Sequence, residues 1–153
     1  MKKLVLILVI QLLLVGCGSK DKTMICSLKQ NNMGTDYNLK IKVIHDGEIV
    51  NQQIQKTIVK FDSKRSYQMG VETLRQIDFT GMSEGMKGIS YTLKEDEKGL
   101  EIVEELNIDF STVSGTDYNK ITNGILDIKD DKIIVTLEKT KESMKAQGLT
   151  CEY

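Results

Sequence analysis

Three cysteines, one histidine and three runs of adjacent carboxylates hold most of the chemistry open to this chain. Cysteine sulfur can be alkylated, oxidised to a disulfide or used as a soft metal ligand. Cys26 and Cys151 have neither a Cys-x-x-Cys spacing nor a histidine beside them, which argues against zinc. His45 adjoins Asp46-Gly47, so a Ser-His-Asp or Cys-His triad would have to be built around a hairpin tip. A single histidine also excludes histidine-pair metal ligation within one chain. Carboxylates adjoin at Glu95/Asp96/Glu97, Glu104/Glu105 and Asp130/Asp131, and two carboxylates can run glycoside hydrolysis. Each group falls in a charged turn or on a solvated strand face, so a surface role is the simpler reading.

Methionine thioethers are soft ligands for Cu(I), and Met82 and Met86 stand four apart, as on one helix face. Gly81 and Gly85 beside them argue against a rigid site, and gap-filling in a core accounts for them. The glycines of Gly81 to Gly88 do not follow a strand and open a helix as a phosphate cradle must. Asp127 to Lys132 lacks the spaced oxygens and glycine of an EF-hand loop. No catalytic residue, metal site or cofactor is therefore assigned.

Cys17 has a different context. Met1-Lys2-Lys3 precedes an apolar run from Leu4 to Val15 in which only Gln11 is polar, the pattern of a secretory signal. The run is shorter than the ~20 residues that a spanning helix needs. Leu14-Val15-Gly16-Cys17 resembles the bacterial lipobox, in which the cysteine sulfur takes a diacylglycerol and the chain is cut just before it. The expected organisation is a signal peptide over 1–16, a lipidated tether over 17–23 and one α+β domain over 24–153. Two acyl chains give stable anchoring where one does not, at about 0.8 kcal/mol per buried CH₂. The expected location is the extracytoplasmic face of a bacterial cell membrane, with the membrane itself as the partner of Cys17.

That location makes cysteine parity informative. With Cys17 lipidated, Cys26 and Cys151 remain as a pair where disulfides form. A bridge closing a loop of about 100 residues or more contributes about 4–5 kcal/mol in the chain-entropy model. Removing residues 1–16 with Lys2 and Lys3 takes the net charge from −1 to −3. Acidic and basic residues alternate without a basic block, which excludes nucleic acid as a partner class. The absence of tryptophan, with only three phenylalanines, argues against an aromatic sugar platform.

The elements that must position these residues follow from hydrophobic period. Met24 to Gln30 suggests an opening strand, and Tyr37, Leu39, Ile41 and Val43 alternate with polar neighbours as a second. An Asp46-Gly47 turn leads to an extended pattern through Ile54, Ile58 and Phe61. Asp62 or Ser63 caps a helix carrying Tyr67, Val71 and Leu74, ended by glycines from Gly81. Ile89 to Leu93 and Leu100 to Phe110 form a second hairpin, with a possible bulge between Val103 and Glu105. Residues 111–123 read as a loop with one helical turn, and Ile125–Ile128 and Ile133–Val135 as an edge hairpin or irregular chain. Thr136 caps a last helix through Met144 to the Gly148 stop, after which Leu149 to Cys151 returns beside Cys26. This order predicts an α+β fold: an antiparallel sheet of about four to five strands with two helices packed on one face. The other sheet face is left exposed, where function would sit.

The cysteine Cys17, the strand with Cys26, the Asp46-Gly47 hairpin and the ending Thr136-Leu137-Glu138-Lys139-Thr140 through Gln147-Gly148-Leu149-Thr150-Cys151 resemble the YehR-type bacterial lipoproteins of undefined function. The resemblance implies an α+β lipoprotein domain and supplies no catalytic residue. The expected role is a non-enzymatic binding or envelope-interaction module. The alternatives are a cell-wall polymer hydrolase using an acidic pair, or a structural accessory to a membrane protein.

Overall fold

A computed structural model describes residues 21–77, 79–122 and 131–153. Cys17, the run before it, and the Ile125–Ile128 and Asp130 readings lie outside the described residues.

The sheet is antiparallel throughout and holds six strands among the described residues: β1 (Lys22–Asn32), β2 (Thr35–His45), β3 (Val50–Lys60), β4 (Ile89–Asp96), β5 (Glu101–Asp109) and β6 (Thr150–Glu152). Their order is β4-β5-β3-β2-β1-β6. Four helical segments among the described residues accompany them: α1 (Lys64–Ile77), α2 (Phe79–Ser83), α3 (Gly115–Ile121) and α4 (Leu137–Ala146). The expected four to five strands become six because Thr150–Glu152 pairs with β1 as a strand of its own. The expected two helices become four because the polar stretch after β5 winds into α3, and Phe79–Ser83 forms a separate turn.

Local sequence explains the connections. Met33 and Gly34 both have positive φ, at 49° and 83°, the two-residue turn whose twist suits a hairpin. Asp46 closes the next turn by accepting the backbone N–H groups of Glu48 and Ile49 at 3.3 and 3.0 Å. Ser63 caps α1, its Oγ accepting from Ser66 N at 3.2 Å. Thr136 occupies the N-cap of α4 without a side-chain bond, and it pairs with Ile49 through flanking bonds, Val50 N donating to Val135 O at 2.9 Å and Leu137 N to Glu48 O at 2.8 Å. The register of β5 is unbroken on both sides, so there is no bulge between Val103 and Glu105; the shift falls between Ile44 and His45. Val103 breaks the apolar alternation because it faces the open side of the sheet.

One face of the sheet carries the core. Met24, Cys26, Ile41, Val43, Ile89 and Ile108 are buried there with Phe110, Val113, Ile121, Met144 and Leu149. A smaller cluster joins Tyr67 and Val71 of α1 to Ile102, with Phe61 edge-on to Tyr67 at 6.0 Å. Met82 is in α2, but Met86 lies past Gly85, whose φ of +77° ends the helix. The two thioethers therefore do not share a helix face, and Met86 packs on the main core.

Candidate functional site

The covered face has one strand that does not obey the core rule. In β3, Val50-Asn51-Gln52-Gln53-Ile54-Gln55-Lys56-Thr57, register places Gln53 between Val43 and Ile108, and Gln55 between Ile41 and Leu106. Both amides stand on the helix-covered side, while Ile54 and Ile58 are turned to the open one. Burying polar groups costs free energy unless they find partners. Here they line a groove of about 470 Å³ between the sheet and α4, walled by Phe110, Tyr118, Ser143 and Gln147. Gln147 Nε2 donates to Ser143 Oγ at 3.2 Å, and Phe110 meets Tyr118 edge-on at 5.6 Å. Burial pushes the Tyr118 phenol up, so it stays a neutral hydroxyl. Amides, hydroxyls and a neutral phenol bind by hydrogen bonding, and Lys139 adds one ammonium to the lining.

The described members of the carboxylate runs are placed elsewhere and do not converge. Arg75 donates two bonds to Glu95, at 3.1 and 2.8 Å. Lys64 lies 2.8 Å from Glu97, which holds that carboxyl below its usual range. Asp96 accepts from Lys98 N and Gly99 N at 3.1 and 3.0 Å, closing the β4–β5 turn. Glu104 and Glu105 are consecutive strand residues and point to opposite faces. Glu104 accepts from Tyr91 Oη at 2.6 Å on the covered face. Asp131 is engaged through its carbonyl, which accepts from Gly115 N at 2.9 Å.

His45 is 2% exposed. Its Nδ1 accepts from Gly47 N at 3.1 Å, so the neutral ring carries its proton on Nε2, which has no hydrogen-bond partner among the described residues. Asp46 is turned away into its own turn. His45 instead packs edge-on to Tyr153, ring centroids 6.4 Å apart. No group of three or more metal-ligating side chains occurs among the described residues.

Cys26 and Cys151 stand opposite each other in the β1–β6 ladder and are bonded, with Cα atoms 4.0 Å apart and a sequence separation of 125. That distance is nearer the ~4.5 Å of a non-hydrogen-bonded antiparallel pair than the ~5.5 Å of a bonded one.

No family model matches the chain. Over 93% of its length it is 25% identical to an uncharacterized lipoprotein of Listeria monocytogenes, and 24% identical to one of Listeria innocua, covering 88% of each. The NMR structure of the E. coli YehR protein superposes with a TM-score of 0.59 at 22% identity, covering 86% of this chain and 92% of that one. The fold is that of YehR. The resemblance read from the sequence thus extends to the arrangement of strands and helices. An NMR structure from Streptococcus pneumoniae TIGR4 follows at a TM-score of 0.51 and 13% identity, covering 90% and 88%.

Gln53 and Gln55 were not singled out by sequence reasoning. Their signal is the glutamine on either side of Ile54, in a strand whose other covered positions are Val50, Thr57 and Val59.

Proposed function

We propose that this protein is a lipid-anchored lipoprotein of the extracytoplasmic membrane face, whose domain binds a polar, hydrogen-bonding component of the envelope without turning it over. The observation that carries the binding half is the pair Gln53 and Gln55, set where a sheet core calls for apolar side chains and opening into the groove under α4. The anchoring half rests on Cys17 after Leu14-Val15-Gly16 and on the lipoprotein names of both Listeria relatives. In this reading residues 1–16 are removed, 17–23 tether the chain, and 24–153 bind. No helix among the described residues is long and apolar enough to cross a membrane.

Two experiments test it. Cys17→Ser should move the processed protein from the membrane to the soluble fraction, or stall its processing; a fully cleaved variant that still sediments with membranes would refute the anchor. For binding, soluble disaccharide-peptides released by muramidase digestion of peptidoglycan should titrate the wild type to saturation. Gln53→Leu with Gln55→Leu should weaken that binding at least tenfold. Equal binding by the folded double variant would remove the groove from the site.

A further inference from the structure

The open face of the sheet has its own pattern. Lys40 of β2 and Lys56 of β3 are direct cross-strand partners on that face, and Lys42, two residues on from Lys40, lies diagonal to Lys56. Lys29 of β1 extends the row on the other side, diagonal to Lys40. All four are exposed, and none is within ion-pair distance of a carboxylate among the described residues. Like charges directly opposite destabilise a sheet, so a lysine stripe across its central strands is held at a cost to folding. The nearest acids on this face are Asp36, diagonal to Lys29, Glu105, directly opposite Lys56, and Glu152, two strands from Lys42. Between the lysines stand Ile25, Ile54 and Ile58, each partly or more fully exposed.

We infer that this face docks onto the anionic headgroups of the bilayer to which the chain is tethered. The inference rests on the lipid-anchor reading. Lys22 is five steps along the chain from Cys17, a reach of at most about 18 Å, so the domain stays within about two Debye lengths of the headgroups at physiological salt. Lys42 pairs with Ile25, about 10 Å along β1 from the point where the tether enters. Lys42 thus sits nearest the tether, with Lys40 and Lys56 at the level of Ser27, about 17 Å along β1, Lys29 about 24 Å along it, and isoleucines among them to meet the headgroup boundary. A basic side chain near an anionic surface contributes about fivefold in binding, so four of them set orientation once the anchor supplies proximity.

The test uses the full-length protein reconstituted into vesicles of phosphatidylcholine alone or mixed with phosphatidylglycerol, with lysine acetylation rates read by mass spectrometry. Lys40, Lys42 and Lys56 should react several-fold more slowly on the anionic vesicles, Lys87 and Lys145 equally on both, and high salt should erase the difference. Lys40→Glu with Lys56→Glu should abolish the protection of Lys42, whereas Lys87→Glu with Lys145→Glu, the same charge change off this face, should not. Equal rates on both vesicles overturn the inference. So does equal protection on phosphatidylcholine vesicles given soluble polyphosphate, which would make a free anionic polymer the occupant. The mass of the Cys17 peptide reports the anchor separately. Unlipidated protein still protected on anionic vesicles would refute the anchor and sustain the docking face.

Discussion

Tyr91 of β4 donates its phenol hydrogen to Glu104 of β5 at 2.6 Å, a diagonal cross-strand bond on the covered face of the sheet. Phe79 lies over the same ring at 5.5 Å. Burial first, and then this bond, push the Tyr91 phenol well above its ordinary value. A raised pKa means that the neutral form is the one the fold favours. Its contribution is complete below about pH 10 and is lost as pH rises from there through the folded value. Tyr91→Phe keeps the ring and removes the donor, and should cost about 1.5–3 kcal/mol in urea unfolding at neutral pH. The gap between wild type and variant should close as the titration is carried into strong alkali.

The acid side has the opposite sign. Asp109 accepts from Ser111 N at 2.9 Å, from Ser111 Oγ and from Thr112 Oγ1, and these bonds hold its carboxyl below the usual range. Asp117 is lowered by Lys120 and by Ser114, whose Oγ caps α3. Lowered carboxylates stabilise above their unfolded pKa and lose that contribution as pH falls through the folded one. Stability should hold from neutrality down to about pH 4 and decline below it. Ser111→Ala with Thr112→Val should make that decline shallower.

Reduction of Cys26–Cys151 should lower stability by about 5 kcal/mol, because the bond closes a loop of more than 100 residues. Hydrogen exchange should then quicken in β6 first, since three residue pairs alone hold it to β1. Equal urea midpoints for oxidised and reduced protein would show that the bond constrains little.

Period and parity made much of this legible. Tyr37, Leu39, Ile41 and Val43 alternate cleanly because β2 has one buried and one open face, and Asp46-Gly47 marks its turn. The cysteine pair followed from counting. The polar interior of β3 was not legible: Ile54 and Ile58 carry the apolar signal there, and register turns them outward while Gln53 and Gln55 face the groove. Neither was the neighbourhood of β3 and β5, a pairing across a helical crossover that no local residue announces. The short β6 depends on a ladder with β1 and has no period of its own.

Two glycines with the same backbone sign should respond differently to alanine. At Gly88, φ +76°, an added Cβ would fall 2.6 Å from Val113 N and 2.9 Å from Asp109 O, backbone that cannot yield. Gly88→Ala should cost upwards of about 3 kcal/mol. At Gly148, φ +86°, nothing lies within 4 Å, so Gly148→Ala should cost only the left-handed penalty, about 1–2 kcal/mol. Thermal midpoints of the two variants give the comparison.

If Gln53 and Gln55 serve binding, replacing them should relieve the fold. Gln53→Leu with Gln55→Leu should leave stability unchanged or raise it by about 0.5–2 kcal/mol while binding falls. A loss of several kcal/mol would mean that the amides are structural.

Tension applied ahead of Lys22 enters the domain along β1. That strand is held lengthwise by eleven residue pairs to β2, which must slip together instead of opening one by one. Four residues in, the pull reaches Cys26, and β1 cannot be drawn farther without dragging β6 through the covalent bond. Oxidised, the domain keeps its shape under traction. Reduced, the strand nearest the pull becomes the one that can be drawn out.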